Sequence, residues 1–325
     1  MTGVAAPEGS AGVLPGKAAR SAGAIPRRVR RTGMGPLLIV GEEGSPLGGA
    51  LRVAEAVARR HAVKAHVLVV LRPLTSRSPY LLSRADVLER LEREASHREA
   101  EHIRLRRLVH EIVGRSSFFS TGVETGEYLP TVASAARVRK VEYVFVGLPE
   151  LGAPTRAGAE TAALRLARTV DLPVLAVPAG ADFLPRTALV SMALGEASMR
   201  AARATIPLLA LGGNLTLAQV LPDAERARSQ ARPSSGPRIL DRALERLRST
   251  LRLARDLQVR TTVSYGDPAK ALLELGRDVD LIAVGMPLRR VPGRRRTEIV
   301  AVNVLRGAVC TVLMVPAPRQ GEALA

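Results

Sequence analysis

Hydrophobic positions along this chain come in short runs separated by amphipathic stretches, from Pro36 almost to the end. Leu37 to Val40 and Ala65 to Leu71 are apolar at nearly every position and too short for ordinary helices. They predict buried strands of a parallel sheet. Between them, Ala50 to Arg60 has helical spacing. Arg84 to Ile112 places Val87, Leu91, Ala95, Leu105, Leu108, Val109 and Ile112 at helical intervals, and adds the i,i+4 pairs Glu89 with Arg93 and Glu94 with Arg98. That pattern predicts a long surface helix. Further strands are expected at Ser117 to Val123, Val141 to Val146 and Pro173 to Val177, with helices at Tyr128 to Arg139 and Thr161 to Thr169. Strand and helix in turn are the mark of βαβ units.

The same order returns after a Pro- and Gly-containing joint near Pro178 to Pro185. Strands are expected at Ala188 to Met192, Leu215 to Val220, Val259 to Ser264, Leu281 to Val284 and Thr311 to Val315. Helices fall at Ala197 to Leu208, Arg238 to Leu257, Pro268 to Leu275 and Glu298 to Leu305. In the second of these, Leu240, Leu244, Leu247, Leu251 and Ala254 form one apolar stripe, and a polar loop precedes it from Pro222. A repeat of about 140 residues is therefore visible, and 325 residues exceed the usual size of one core. The expected architecture is two tandem doubly wound α/β domains of flavodoxin or Rossmann type. Each is a five-stranded, mostly parallel sheet with helices on both faces. The expected limits are a basic arm at 1–34, a first domain at 35–180, a second at 185–318 and a tail at 319–325.

Composition sharpens this picture. Hydrophobic residues supply 46% of the chain but aromatics only 2%, with no Trp, so the interior must be built from Val, Leu, Ile and Ala. No apolar run approaches the roughly 18 to 20 residues of a membrane span, and the first residues lack the apolar stretch of a signal peptide. A cytoplasmic location is the expectation. The single cysteine, Cys310, excludes an internal disulfide and reads as a buried, inert thiol. The net charge of +18 would gather RNA, another polyanion or an anionic membrane surface around the protein. The arm concentrates part of it, with Lys17, Arg20, Arg27, Arg28, Arg30 and Arg31 against Glu8. An Arg-, Ala- and Gly-rich composition explains the same charge without any partner, and both readings stay open.

Three blocks recur in both halves. The first is a strand, a small-residue turn and a helix, at Leu37 to Leu51 and Ala188 to Ala202; the strand ends in Glu43, Gly44 and Ser45 in one copy and Ala193, Leu194 and Gly195 in the other. The second is a Gly-acid turn followed by a helix and a strand ending in Gly, with Gly126 and Gly147 in the first copy and Gly266, Asp267, Pro268 and Gly285 in the second. Pro268 suits a first helical turn and Asp267 can cap it. The third block follows the strand-end glycine. Together the blocks resemble the universal stress protein family over nearly the whole chain after the arm.

ATP-binding members of that family carry G-x2-G-x9-G-[ST] in the third block, where backbone amides and a helix N-terminus cradle phosphates. Counted from Gly147, the later glycine positions hold Glu150 and Glu160, followed by Thr161; counted from Gly285 they hold Leu288 and Glu298, followed by Ile299. The spacing survives and the chemistry does not. Glutamate adds bulk and negative charge beside a polyanion, and at a helix start it would answer the dipole that a phosphate otherwise answers. No cofactor is therefore expected, with ATP in the first domain as the alternative. The second loop also holds Arg289, Arg290, Arg294, Arg295 and Arg296, either an anion or RNA contact or a solvated loop.

Catalytic and metal chemistry leave no trace. The five histidines, His61, His66, His97, His102 and His110, lack the spacing of a zinc site, and those on the long helix read as solvated. The resemblance implies a non-catalytic stress-response protein that binds a partner protein or small ligand. Its rivals are a nucleic-acid or ribosome-associated binder, a nucleotide sensor with weak ATP hydrolysis using the first copy, and a soluble regulator of a membrane transporter. It also implies an internal pseudo-dimer joined through the closing runs Pro173 to Val177 and Thr311 to Val315, with further homodimerisation as an option.

Overall fold

The strands β1 (Leu37–Glu42) and β2 (Ala65–Leu71) are buried along almost their whole length and pair in parallel from Leu37 opposite Ala65 to Glu42 opposite Val70. Their alternate side chains enter different cores: Leu37 and Ile39 point to one face of the sheet, Leu38 and Val40 to the other. Such two-sided burial is why the runs show no polar alternation. These elements belong to a computed structural model that describes residues 34–73, 84–193, 196–225, 245, 256–286 and 295–317. Residues 1–33 of the basic arm, the expected helix at 238–257 apart from 245, 256 and 257, and the C-terminal tail lie outside the described residues.

The first half continues with β3 (Phe119–Thr125), β4 (Tyr143–Leu148) and β5 (Val174–Pro178). Its helices are α1 (Gly48–His61), α2 (Arg84–Val113), α3 (Tyr128–Val138) and α4 (Arg156–Thr169). The second half supplies β6 (Thr187–Ser191), β7 (Asn214–Leu221), β8 (Gln258–Tyr265), β9 (Leu281–Met286) and β10 (Thr311–Pro316). Its described helices are α5 (Glu196–Thr205), prolonged by a 3₁₀ turn at Ile206–Leu208, α6 (Pro268–Leu275) and α7 (Arg295–Gly307). Helices α1, α2 and α5 cover one face; α3, α4, α6 and α7 cover the other.

All ten strands form one sheet in the order β3-β2-β1-β4-β5-β10-β9-β6-β7-β8. The order reads the same from either end when each strand is replaced by its counterpart in the other half. Every pairing is parallel except the central one, where β5 and β10 run antiparallel with Leu175 opposite Leu313. The two runs that would have been bare edges are each other's partners, which removes both edges from solvent. Both cores run through this seam, since Leu175 and Leu313 lie in one and Val174 and Met314 in the other.

Polar contacts reinforce the seam. Tyr143 in β4 donates its hydroxyl to the Ala204 carbonyl over 3.0 Å, and burial raises its phenol well above the usual range. His61 Nε2 donates to the Pro207 carbonyl at 2.8 Å, and Arg60 beside it to the Leu209 carbonyl. The basic last turn of α1 thus meets carbonyls at the C-terminal end of α5 and its 3₁₀ turn, the favourable end of their dipole.

Candidate functional site

The strand ends place the three sequence blocks of the first half together. Because β1, β3 and β4 are parallel neighbours or near-neighbours, Glu43 to Ser45, Gly126 and Gly147 to Glu150 all lie at the same edge of the sheet. Gly44 sits at φ +73°, a left-handed turn that glycine accepts without strain. Gly147 has another task. A Cβ there would run into the Pro46 carbonyl, so this glycine lets the β1–α1 turn lie against β4. Gly285 does the same in the second half, where a Cβ would stand 2.5 Å from the Ala197 backbone.

Charged groups fill the mouth of this edge. Arg72 Nη2 donates to Glu42 Oε2 at 3.1 Å, and His97 Nε2 lies 3.2 Å from Glu43 Oε2. His97 reaches Glu43 because α2, about 45 Å long at its 30 residues, is much longer than the strands it covers. His102 Nε2 also has a partner, Thr121 Oγ1 at 3.1 Å. His97 is partly exposed to solvent as expected but has a partner, and the reading of His102 as merely solvated is corrected by its part-buried contact. Burial first, and then the Glu42 carboxylate, push the Tyr128 phenol upward at the start of α3.

The third block differs most from expectation. Helix α4 begins at Arg156, five residues before the expected Thr161, so the residues just before Glu160 are wound into helix rather than held as a loop. Glu160 is not at a helix start, and the expectation that it answers the N-terminal dipole is replaced by another partner. Its Oε1 accepts Arg156 Nε at 2.7 Å, and both residues are buried. Arg156 Nη1 donates to the Pro149 carbonyl at 2.6 Å, and Nη2 to the Ala308 carbonyl of the second half at 3.4 Å. Arg156 carried no signal in the sequence beyond its i,i+4 spacing to Glu160. Thr161 is exposed and returns its hydroxyl to the Ala157 carbonyl. Glu150 is exposed and belongs to a cleft between the two halves.

In the second half, Gly266 adopts φ +109° and Asp267 caps α6, accepting from the Lys270 amide at 2.9 Å, with Pro268 in the first turn. Ala193 ends the first block, and its carbonyl accepts from Ser198 Oγ at 2.5 Å. Leu194, Gly195, Leu288, Arg289, Arg290 and Arg294 lie outside the described residues. Arg295, Arg296 and Glu298 fall in α7, whose first side chains are likewise not described. Cys310 is half-buried rather than buried, and burial pushes its thiol up to about 11. Among the described residues no group of three His, Cys, Asp or Glu side chains is placed to hold a metal ion, and no helix is long and apolar enough to cross a membrane.

A doubled sheet of symmetric strand order, parallel within each half and joined by crossover helices, defines the class: a tandem doubly wound α/β protein. Residues 186–316 match the model of the universal stress protein family. The match covers the second half of the chain, and the first half repeats the same strand order. The whole chain is similar to a universal stress protein from Archaeoglobus fulgidus DSM 4304, with 16% identity over 87% of this chain and 97% of that one and a TM-score of 0.54. It is also similar to a functionally unknown protein from Pseudomonas aeruginosa PAO1, at 16% identity over 87% and 92% of the two chains, with a TM-score of 0.51. No curated protein matches the sequence.

Proposed function

We propose that this chain is a non-catalytic stress-response protein of the cytoplasm that acts by binding a partner or small ligand, and that its first half does not take ATP in the manner of ATP-binding family members. The observation that carries the reading is the Arg156–Glu160 pair. Arg156, in the third block, is neutralised by the residue standing at the third glycine position, and its two terminal nitrogens donate to the Pro149 and Ala308 carbonyls. A phosphate would meet a guanidinium already paired with a carboxylate, and residues 156–160 wound into helix rather than held as an open loop. Glu42, Glu43, Glu127 and Glu150 at the ends of β1, β3 and β4 add negative charge at the same edge. Glu42 pairs with Arg72, and Glu43 lies beside His97.

The test is mass spectrometry of the small molecules released by denaturing gently purified, nuclease-treated protein, followed by calorimetric titration with ATP and Mg²⁺. The expected result is no stoichiometric nucleotide and no saturable heat. ATP released at close to one per chain would overturn the reading.

A further inference from the structure

The connection between the halves, Pro178 to Pro185, passes beside the end of the β5–β10 pair and borders a cleft of about 580 Å³. Leu151 and Glu150, after β4, line one side; Val309 and Cys310, before β10, line another; Asp182 and Phe183 come from the connection itself. Leu151, Phe183 and Val309 are 54%, 56% and 64% exposed, so three large apolar side chains stand in water around one concavity. Its volume falls within the range of about 300 to 1,000 Å³ typical of small-molecule sites, which combine apolar walls with a few polar groups. The connection is tied down: Arg52 of α1 donates to the Ala179 carbonyl at 2.6 Å and the Ala181 carbonyl at 3.0 Å. The wall is therefore formed before any ligand arrives.

The charge of this cleft runs against that of the protein. In a chain of net charge +18, the charged lining is Glu150, Asp182, Asp280 and Arg156. Arg156 is neutralised by Glu160. Asp280 Oδ2 is occupied by the Arg186 and Thr187 amides and the Thr187 hydroxyl, at 2.8 to 3.0 Å. The carboxylates of Glu150, Asp182 and Asp280 then set the local field, with those of Glu150 and Asp182 exposed to a ligand, and the field favours a cation.

We infer that this cleft between the halves binds a small amphipathic organic cation, its apolar body against Leu151, Phe183 and Val309 and its charged end beside Glu150 and Asp182. The site goes beyond the function proposed above, and it stands or falls independently of whether the first half takes ATP.

The probe is thioflavin T, a cationic aromatic dye, titrated into the nuclease-treated full chain beside the anionic dye 1-anilinonaphthalene-8-sulfonate. Thioflavin T is expected to saturate at one per chain. Phe183→Ser, and separately Glu150→Lys combined with Asp182→Lys, should each weaken it about tenfold. All three positions are exposed, and circular dichroism with thermal melting confirms that the variants fold. Absence of saturable thioflavin T binding, equal binding by wild type and variants, or equally tight saturation by the anionic dye would each overturn the inference.

Discussion

Arg156 and Glu160, one turn apart on α4, form a buried ion pair at 2.7 Å that also reaches the second half of the chain through the Ala308 carbonyl. Removing one member strands the other charge away from water. Arg156→Met should cost about 3–5 kcal/mol in urea unfolding, the usual penalty for breaking a buried pair. The double variant Arg156→Met, Glu160→Leu should recover most of that loss, because replacing both charges leaves none uncompensated. A single-variant loss under about 1 kcal/mol would show the pair to be well solvated instead.

Two kinds of glycine separate in a substitution series. Gly147→Ala and Gly285→Ala force a methyl group into backbone and should each destabilise by about 1–3 kcal/mol or more. Gly158 lies within α4 with open space around it, so Gly158→Ala should stabilise by about 0.5–1 kcal/mol. Equal melting temperatures for all three variants would contradict the packing role of the strand-end glycines.

His66 makes stability depend on pH. Burial first, and then the charge of Arg139, lower its imidazole to about 4 from 6.5, while Nδ1 is 2.9 Å from Ser120 Oγ. Between these values the unfolded chain takes up a proton that the folded chain refuses. The stability from neutral His66 is thus present above pH 6.5 and is lost as pH falls toward 4. His61 is lowered too, chiefly by burial, and acts in the same direction. Denaturant unfolding from pH 7.5 to 4.5 should show the decline, and His66→Gln should flatten it.

The raised thiol of Cys310 should make it slow to alkylate. Since the thiolate is the reacting species, iodoacetamide at pH 8 should label the folded protein about two orders of magnitude more slowly than the urea-unfolded chain. Similar rates in the two states would show that the thiol is not held up by its surroundings.

At the seam, Leu175 and Leu313 are fully buried directly across from one another. Each Leu→Ala change should cost about 2–5 kcal/mol. The double variant should depart from additivity by about 0.5–3 kcal/mol, as expected for residues in contact. Strict additivity in a urea-unfolding cycle would argue against direct packing.

The strands were legible because two-sided burial leaves no polar positions within them: Ala65 to Leu71 was read to the residue. The start of α4 was not. Gly152, Pro154 and Gly158 give the stretch before Thr161 the look of a loop, and what winds Arg156 to Glu160 into helix includes bonds to Pro149 and to Ala308, the latter 152 positions away. The partners of His97 and His102 were hidden for the same reason, since Glu43 and Thr121 come from other elements. The cleft was also invisible in the sequence, because its walls are brought together from 150–156, 178–185 and 279–311 only when β5 meets β10.

A dimer of separate chains comes apart when it is diluted, and any substitution at its two-fold seam is made twice. Joining β5 to β10 within one polypeptide lifts both conditions. The halves meet at the same effective concentration however little protein the cell makes, and Leu175 can change while Leu313 does not. One half can therefore diverge in sequence at its strand ends while the other keeps the sheet whole.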